Sequence, residues 1–369
     1  MVSILSSDFS AINTSFTVFS ANTSAMEYIM PGITKLASLR PFNFDRRTLL
    51  QGAMALAAVS MTPASAKAAA PVRVVETPSL RIGYEESGPT EGEPIFLLHG
   101  WPYDPRSFDD VVGPLAAAGF RVIVPYSRCF GPTVYRDATI FRSGEQAALG
   151  KDVIDLMDAL HIPKAILAGF DWGNRAACVA SALWPGRVRA FVSTPGYTIL
   201  NVPKLTKSPG TPKEISQAWY RFFLSMPEGP AYLAARREEY TRQCWETWSP
   251  TWRFSDEFFK TSARSFQTDD WLATTVHCYR HFYGTAEGDP ALQSLEERLY
   301  EQPKIAAPTI VLQAHADPLY PASFSDGQQS LYTGHYERRP LAHVGHDVPK
   351  EAPADFIQAL KDIARISKG

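Results

Sequence analysis

The stretch KAILAGFDWGNRAACVASALW, residues 164–184, decides how this sequence folds. Its opening, KAILAGF, is a short apolar run of the kind found in a strand buried on both faces. Its close, WGNRAACVASALW, reads as a helix. Between them Gly169-Phe170-Asp171-Trp172-Gly173 sets an aspartate between two glycines, which marks a sharp strand-to-helix turn. Asp171 is then either an ordinary cap of the helix or a carboxylate displayed at the sheet's edge for chemistry.

The same rhythm extends on both sides. VRVVETPSLRIGYEESG, from residue 72, reads as two antiparallel strands with Pro78 near the turn, and PIFLLHG (94–100) as a buried strand. A helix is expected around 107–118, then the strand FRVIVP (120–125). A long amphipathic helix follows, with Ala148, Val153, Leu156, Met157 and Leu160 on one stripe. VRAFVSTP (188–195) is another strand. Strands alternating with helices predict a mostly parallel, doubly wound α/β sheet.

After Pro195 the alternation stops. Residues 198–303 are aromatic, helical in pattern and nearly strand-free, and they hold five of the eight tryptophans. The rhythm resumes with APTIVLQAHADP, a strand over 308–314, and closes on a helix over 351–366. This predicts a core from 71–197 and 304–369, with 198–303 a helical cap inserted over the carboxyl edge, where open α/β sheets bind ligands.

The 369 residues are 45% hydrophobic, with a net charge of −2 and no basic block, which gives no reason to expect a nucleic-acid partner. Cys129, Cys178, Cys244 and Cys278 lack paired C-x-x-C spacing, so no zinc site is expected and free thiols are the first reading. A Cys244–Cys278 bridge is the alternative. Residues 1–70 read as a leader. Arg46-Arg47 precede a mildly apolar run from Leu49 to Met61, followed by small residues suited to signal peptidase, a twin-arginine pattern. Asp45 and Gln51 depart from that pattern, and translation from Met26 or Met30 would suit it better. The run is too short for a membrane anchor, since a span needs about 20 apolar residues. The expectation is a periplasmic or secreted enzyme.

Four elements now carry a resemblance: His99-Gly100-Trp101-Pro102, Gly169-Phe170-Asp171-Trp172-Gly173, Asp317, and Gly345-His346. From about residue 72 to its end the chain resembles the α/β-hydrolase superfamily, in particular its epoxide hydrolase and haloalkane dehalogenase branch. The glycine spacing is that of G-x-S-x-G, whose serine is a hydrolase nucleophile, with aspartate in the serine's place. A carboxylate with a reference pKa near 4 needs no base to attack. It can displace a leaving group at saturated carbon and form an alkyl ester. His346 would then activate water against that ester, with His343 as rival, and Asp317 would orient the imidazole. The resemblance implies that the N–H groups of Trp101 and Trp172 hold the oxyanion and that His99 organises its loop. No metal or cofactor is implied.

The leaving group separates the two relatives. A departing alkoxide calls for a phenol donor, and the resemblance points to Tyr279, before Arg280, and to Tyr220, with Tyr232, Tyr240 and Tyr283 as substitutes. A halide needs only N–H donors. Trp172 fits both branches, whereas Trp101 stands where many haloalkane dehalogenases place asparagine. The expectation is a hydrolase that opens small apolar epoxides. The alternatives are a haloalkane dehalogenase of the same mechanism and a non-catalytic ligand-binding domain.

Overall fold

The computed structural model describes residues 70–208 and 210–368; the twin-arginine segment lies outside them. The described residues from 70 onward form one compact unit, cap included.

Nine strands make one sheet: β1 (Arg73–Glu76), β2 (Leu80–Ser87), β3 (Glu93–Leu98), β4 (Phe120–Pro125), β5 (Val134–Tyr135), β6 (Ala165–Phe170), β7 (Val188–Thr194), β8 (Thr309–Ala314) and β9 (Tyr336–Leu341). Their order is β1-β2-β4-β3-β6-β7-β8-β9, with β5 paired to β2 off this path. Every pairing from β4 to β9 is parallel; those of β2 are antiparallel. All six residues of β6 and all six of β8 are buried, as an apolar run at the centre of a covered sheet requires. Burying a large apolar side chain contributes roughly 1.5–3 kcal/mol, so these central strands anchor the fold.

Helices α1 (Asp109–Ala117), α2 (Gln146–Ala159) and α3 (Asp171–Leu183) alternate with the strands as expected. α2 packs on α3 against the sheet. The expected helix at 107–118 begins instead as a 3-10 turn, Pro105–Phe108, because the Asp104 side chain accepts the Arg106 N–H and tightens the first turn.

The insertion is helical throughout: α4 (Val202–Leu205), α5 (Pro212–Gln217), α6 (Trp219–Ser225), α7 (Gly229–Ala235), α8 (Arg237–Trp248), α9 (Asp256–Ala263), α10 (Asp269–Phe282) and α11 (Gln293–Tyr300). α10 is its spine, packed on α6 and α7. Thr268 caps it by accepting the Trp271 N–H, with Asp269 and Asp270 in its first turn and Arg280 and His281 in its last, which suits the helix dipole. The cap is tied to the core at two indoles. Trp245 Nε1 donates to the Pro102 carbonyl and Trp101 Nε1 to Thr275 Oγ1, each at 2.9 Å.

The closing helix differs from expectation. It is broken into α12 (Val348–Glu351) and α13 (Pro353–Ile366), since Pro353 has no N–H to continue α12 and instead sits in the first turn of α13. α13 packs beside α1 and against β7 and β8. All four cysteines are free and buried, so Cys244 and Cys278 form no bridge. No described helix is long and apolar enough to cross a membrane.

Candidate active site

Asp171 is the first residue of α3, with Phe170 in the capping position, and it makes no cap hydrogen bond to its own helix. Its φ is +50°, a conformation L side chains adopt rarely and at a strain cost on the order of 1–3 kcal/mol. The tight turn that holds it depends on glycine on both sides. A Cβ on Gly173 would stand 2.0 Å from the Leu98 carbonyl oxygen, and one on Gly100 would stand 2.7 Å from Asp171 Cβ. The end of β3, the end of β6 and the start of α3 therefore close on one point. The carboxylate faces away from the helix: Trp101 N–H donates to its Oδ1 at 2.9 Å.

Its other oxygen faces His346. Nε2 of the imidazole lies 3.5 Å from Asp171 Oδ2, an ion-pair distance without hydrogen-bond geometry, and has no hydrogen-bond partner among the described residues. Nδ1 donates to Asp317 Oδ2 at 2.7 Å, and Asp317 Oδ1 accepts the Leu319 N–H at 2.8 Å. His346 itself is placed by its own N–H, which donates to Ser249 Oγ from the cap. All three side chains are at least nine-tenths buried. Burial disfavours a charged imidazole, but Asp317 and Asp171 outweigh it and lift the His346 pKa to about 10. Burial likewise pushes the Asp171 carboxyl up, and the imidazolium and the Trp101 N–H outweigh it, holding the group below its ordinary value. His343, by contrast, is exposed in a turn beyond β9 at φ +59°.

Above Asp171 the roof is aromatic, and Trp101 is its hub. Its ring stacks on Tyr220 at 5.7 Å and on Trp172 at 6.4 Å, and meets Tyr279 edge-on at 5.4 Å. Tyr220 and Tyr279 contact each other at 5.4 Å, and both are buried. Such pairs contribute about 0.5–1.5 kcal/mol each beyond burial. Burial raises both phenols, so both stay protonated at neutral pH. Tyr220 Oη accepts Arg221 Nε at 2.8 Å, which leaves its O–H free to donate. Of the substitutes, Tyr232 is 41% exposed, Tyr240 donates to the Tyr220 carbonyl, and Tyr283 stacks on Phe222. The Trp172 N–H, second in α3, has no partner within its helix.

His99 lies beneath the Trp101 loop. Its Nδ1 donates to the Gly100 carbonyl and its Nε2 accepts Ser127 N–H, both at 2.9 Å. Burial lowers its pKa to about 4, so it is neutral at physiological pH. Two site neighbours escaped the sequence reading. Tyr320 stacks on His346 at 6.0 Å with 5° between the rings, and Trp248 meets His346 edge-on at 5.2 Å. Tyr320 lies three residues after Asp317, a spacing that could have signalled it; Trp248 comes from the cap and left no such mark. Among the described residues no cluster of side chains is arranged to hold a metal ion.

Residues 95–359 match the model of the alpha/beta hydrolase family. The chain belongs to this family. A segment of the hydrolase is 30% identical over 162 residues to the haloalkane dehalogenase of Mycobacterium marinum, covering 43% of this chain and 51% of that one. Another is 30% identical over 130 residues to the epoxide hydrolase of Caballeronia sordidicola, covering 35% and 36%. The matches thus span about half or less of these relatives' length. Over most of its length the hydrolase is similar to a solved structure from Klebsiella pneumoniae named a "putative epoxide hydrolase", with 39% identity, a TM-score of 0.76, and coverage of 80% of this chain and 97% of that one.

Proposed function

We propose that this hydrolase opens epoxides to diols through an ester on Asp171. The observation that carries this reading is the pair Tyr220 and Tyr279, both set against Trp101, whose N–H holds the Asp171 carboxylate. Asp171 attacks an epoxide carbon while the ring carbon–oxygen bond breaks and the ring oxygen takes a proton from a phenol. Esterification removes the Asp171 charge, and with it part of what raises the His346 pKa. The imidazolium then releases its proton as the tyrosinate regains one, which leaves a neutral base.

In the second half His346 takes a proton from water, whose oxygen attacks the ester carbonyl. The N–H groups of Trp101 and Trp172 hold the oxyanion. Collapse expels the diol and restores Asp171 and the imidazolium together. Asp317 keeps the ring oriented, and His99, neutral and bonded to its loop, shapes the oxyanion site.

The same ester chemistry would serve a haloalkane. A halide needs only N–H donors, whereas the buried phenols of Tyr220 and Tyr279 suit a departing alkoxide, which favours the epoxide. The Asp-ester is tested by intact mass. His346→Asn incubated with an epoxide should gain the mass of one substrate molecule, and Asp171→Asn should not. An unmodified His346→Asn protein that also fails to turn over would refute the reading. Arg46-Arg47 support the further proposal that the enzyme is exported through the twin-arginine route.

A further inference from the structure

The reacting groups are enclosed, but a cavity of about 600 Å³ lies beside them, between the core and the strap formed by α4, α5 and the start of α6. Tyr320 is the partition: it lines the cavity, and its ring face packs on His346. Two arginines line the same space, Arg175 from the core and Arg221 from the cap.

Each arginine is held in place without being neutralised. Arg175 is four residues after Asp171 on α3, so the two share a helix face. It is 4% exposed, its Nε donates to the Thr198 carbonyl at 3.1 Å, and its guanidinium lies over Phe282 at 4.7 Å. Arg221 is half-buried, and its Nε donates to the Tyr220 phenol. Among the described residues neither guanidinium has a carboxylate partner. Glu214 is the acid on the cavity wall, and its carboxylate accepts Thr211 N–H in the cap of α5. The strap from 198 to 218 adds Lys204, Lys207 and Lys213 against that single acid.

Among the described residues both guanidiniums thus line the cavity with no carboxylate at ion-pair distance, an arrangement suited to an anionic ligand. Guanidinium forks suit a planar carboxylate, which accepts two parallel N–H bonds.

We propose that Arg175 and Arg221 form a carboxylate-binding subsite, and that the substrate is an epoxide carrying a carboxylate on its far end. The apolar body lies under the aromatic roof, the epoxide meets Asp171, and the carboxylate reaches the cavity past Tyr320. This inference rests on Asp171 being the reacting group, yet the subsite is testable without any turnover.

The binding test is calorimetric titration of the full-length protein with hexanoate, hexanamide and hexyl phosphate. Hexanoate should bind about tenfold or more tightly than hexanamide, the range of charge-assisted hydrogen bonds. That margin should vanish in Arg175→Gln and in Arg221→Gln and return in Arg221→Lys. Hexanoate binding no better than hexanamide to the wild type overturns the subsite, as does a margin that persists in both glutamine variants. Tighter binding of hexyl phosphate overturns the carboxylate assignment. In turnover, the ratio of kcat/KM for an epoxy acid over its amide should exceed about ten and fall in either glutamine variant, the loss in Arg175→Gln lying in KM. A ratio of one with both compounds hydrolysed refutes the subsite and spares the epoxide reading. Absence of turnover with a preserved hexanoate margin refutes the epoxide reading and spares the subsite.

Discussion

The Trp101 backbone N–H donates to Asp171 Oδ1 at 2.9 Å across 70 residues of sequence. This contact places the carboxylate of the proposed nucleophile and one proposed oxyanion donor in register before any substrate arrives, and the Trp101 ring on the same residue packs against Tyr220 and Tyr279. Preorganisation of this kind is where such sites derive most of their rate.

Removing both phenols tests the leaving-group assignment. Tyr220→Phe with Tyr279→Phe should lower epoxide turnover by about 10²–10⁴, the span of general-acid catalysis. Single variants should lose less, since either phenol can donate. Epoxide hydrolysis that survives the double change would exclude both tyrosines.

The pH response follows from His346, whose pKa is lifted from 6.5 to about 10. A raised basic pKa stabilises the fold fully below pH 6.5, and that contribution is lost as pH rises through about 10. The Tm should therefore fall across this alkaline window, and less so in His346→Asn. Ester formation should stay flat until the imidazolium titrates. Ester hydrolysis should rise with pH through a lower pKa, because the ester no longer carries the Asp171 charge. Stopped-flow measurement of the two phases separates them, and identical pH profiles would contradict this scheme.

Asp317→Asn should strand the imidazole. Its Nδ1 would lose a charged acceptor at 2.7 Å, the His346 pKa should drop, and turnover should fall by at least about 10². NMR titration of the His346 ring reads the pKa shift directly; an unmoved value would remove Asp317 from its role.

Gly173→Ala tests the elbow without touching a reacting group. Its Cβ would meet the Leu98 carbonyl oxygen at 2.0 Å, so stability should drop by about 1–3 kcal/mol or more. Denaturant melts would record it, and a melt unchanged from wild type would show that the backbone yields freely here.

Export is read separately. Arg46→Lys with Arg47→Lys should retain the protein in the cytoplasm, and undiminished periplasmic recovery would show that the arginines are not a signal.

Much of this was legible because local rules and the fold agree. The buried runs of β3, β6 and β8 are short and apolar, and their bounds follow from the sequence to within a residue or two. β9 carries Glu337, Arg338 and Arg339, which hide it from a search for apolar runs. It is an edge strand, and those charges are matched sideways by Asp362 and by Ser325. β5 has two residues and no pattern to detect. The candidates Asp171, Asp317 and His346 each carried a local mark, Asp171 in the glycine-flanked strand-to-helix turn and the other two in loops. The link between His346 and Trp248 carried none, since it depends on how a hundred-residue insertion settles over the sheet. That Arg175 and Arg221 line one cavity was hidden for the same reason: one lies on a core helix, the other on the cap.

The central claim is that substrate is joined covalently to Asp171. A single turnover in ¹⁸O-water, with enzyme in excess over epoxide, tests it most directly. Label should enter the Asp171 carboxylate, found by mass spectrometry of the peptide that contains it, and the first diol released should be unlabelled. Label in that diol with none in Asp171 would mean that water attacks the epoxide itself, and would contradict the account.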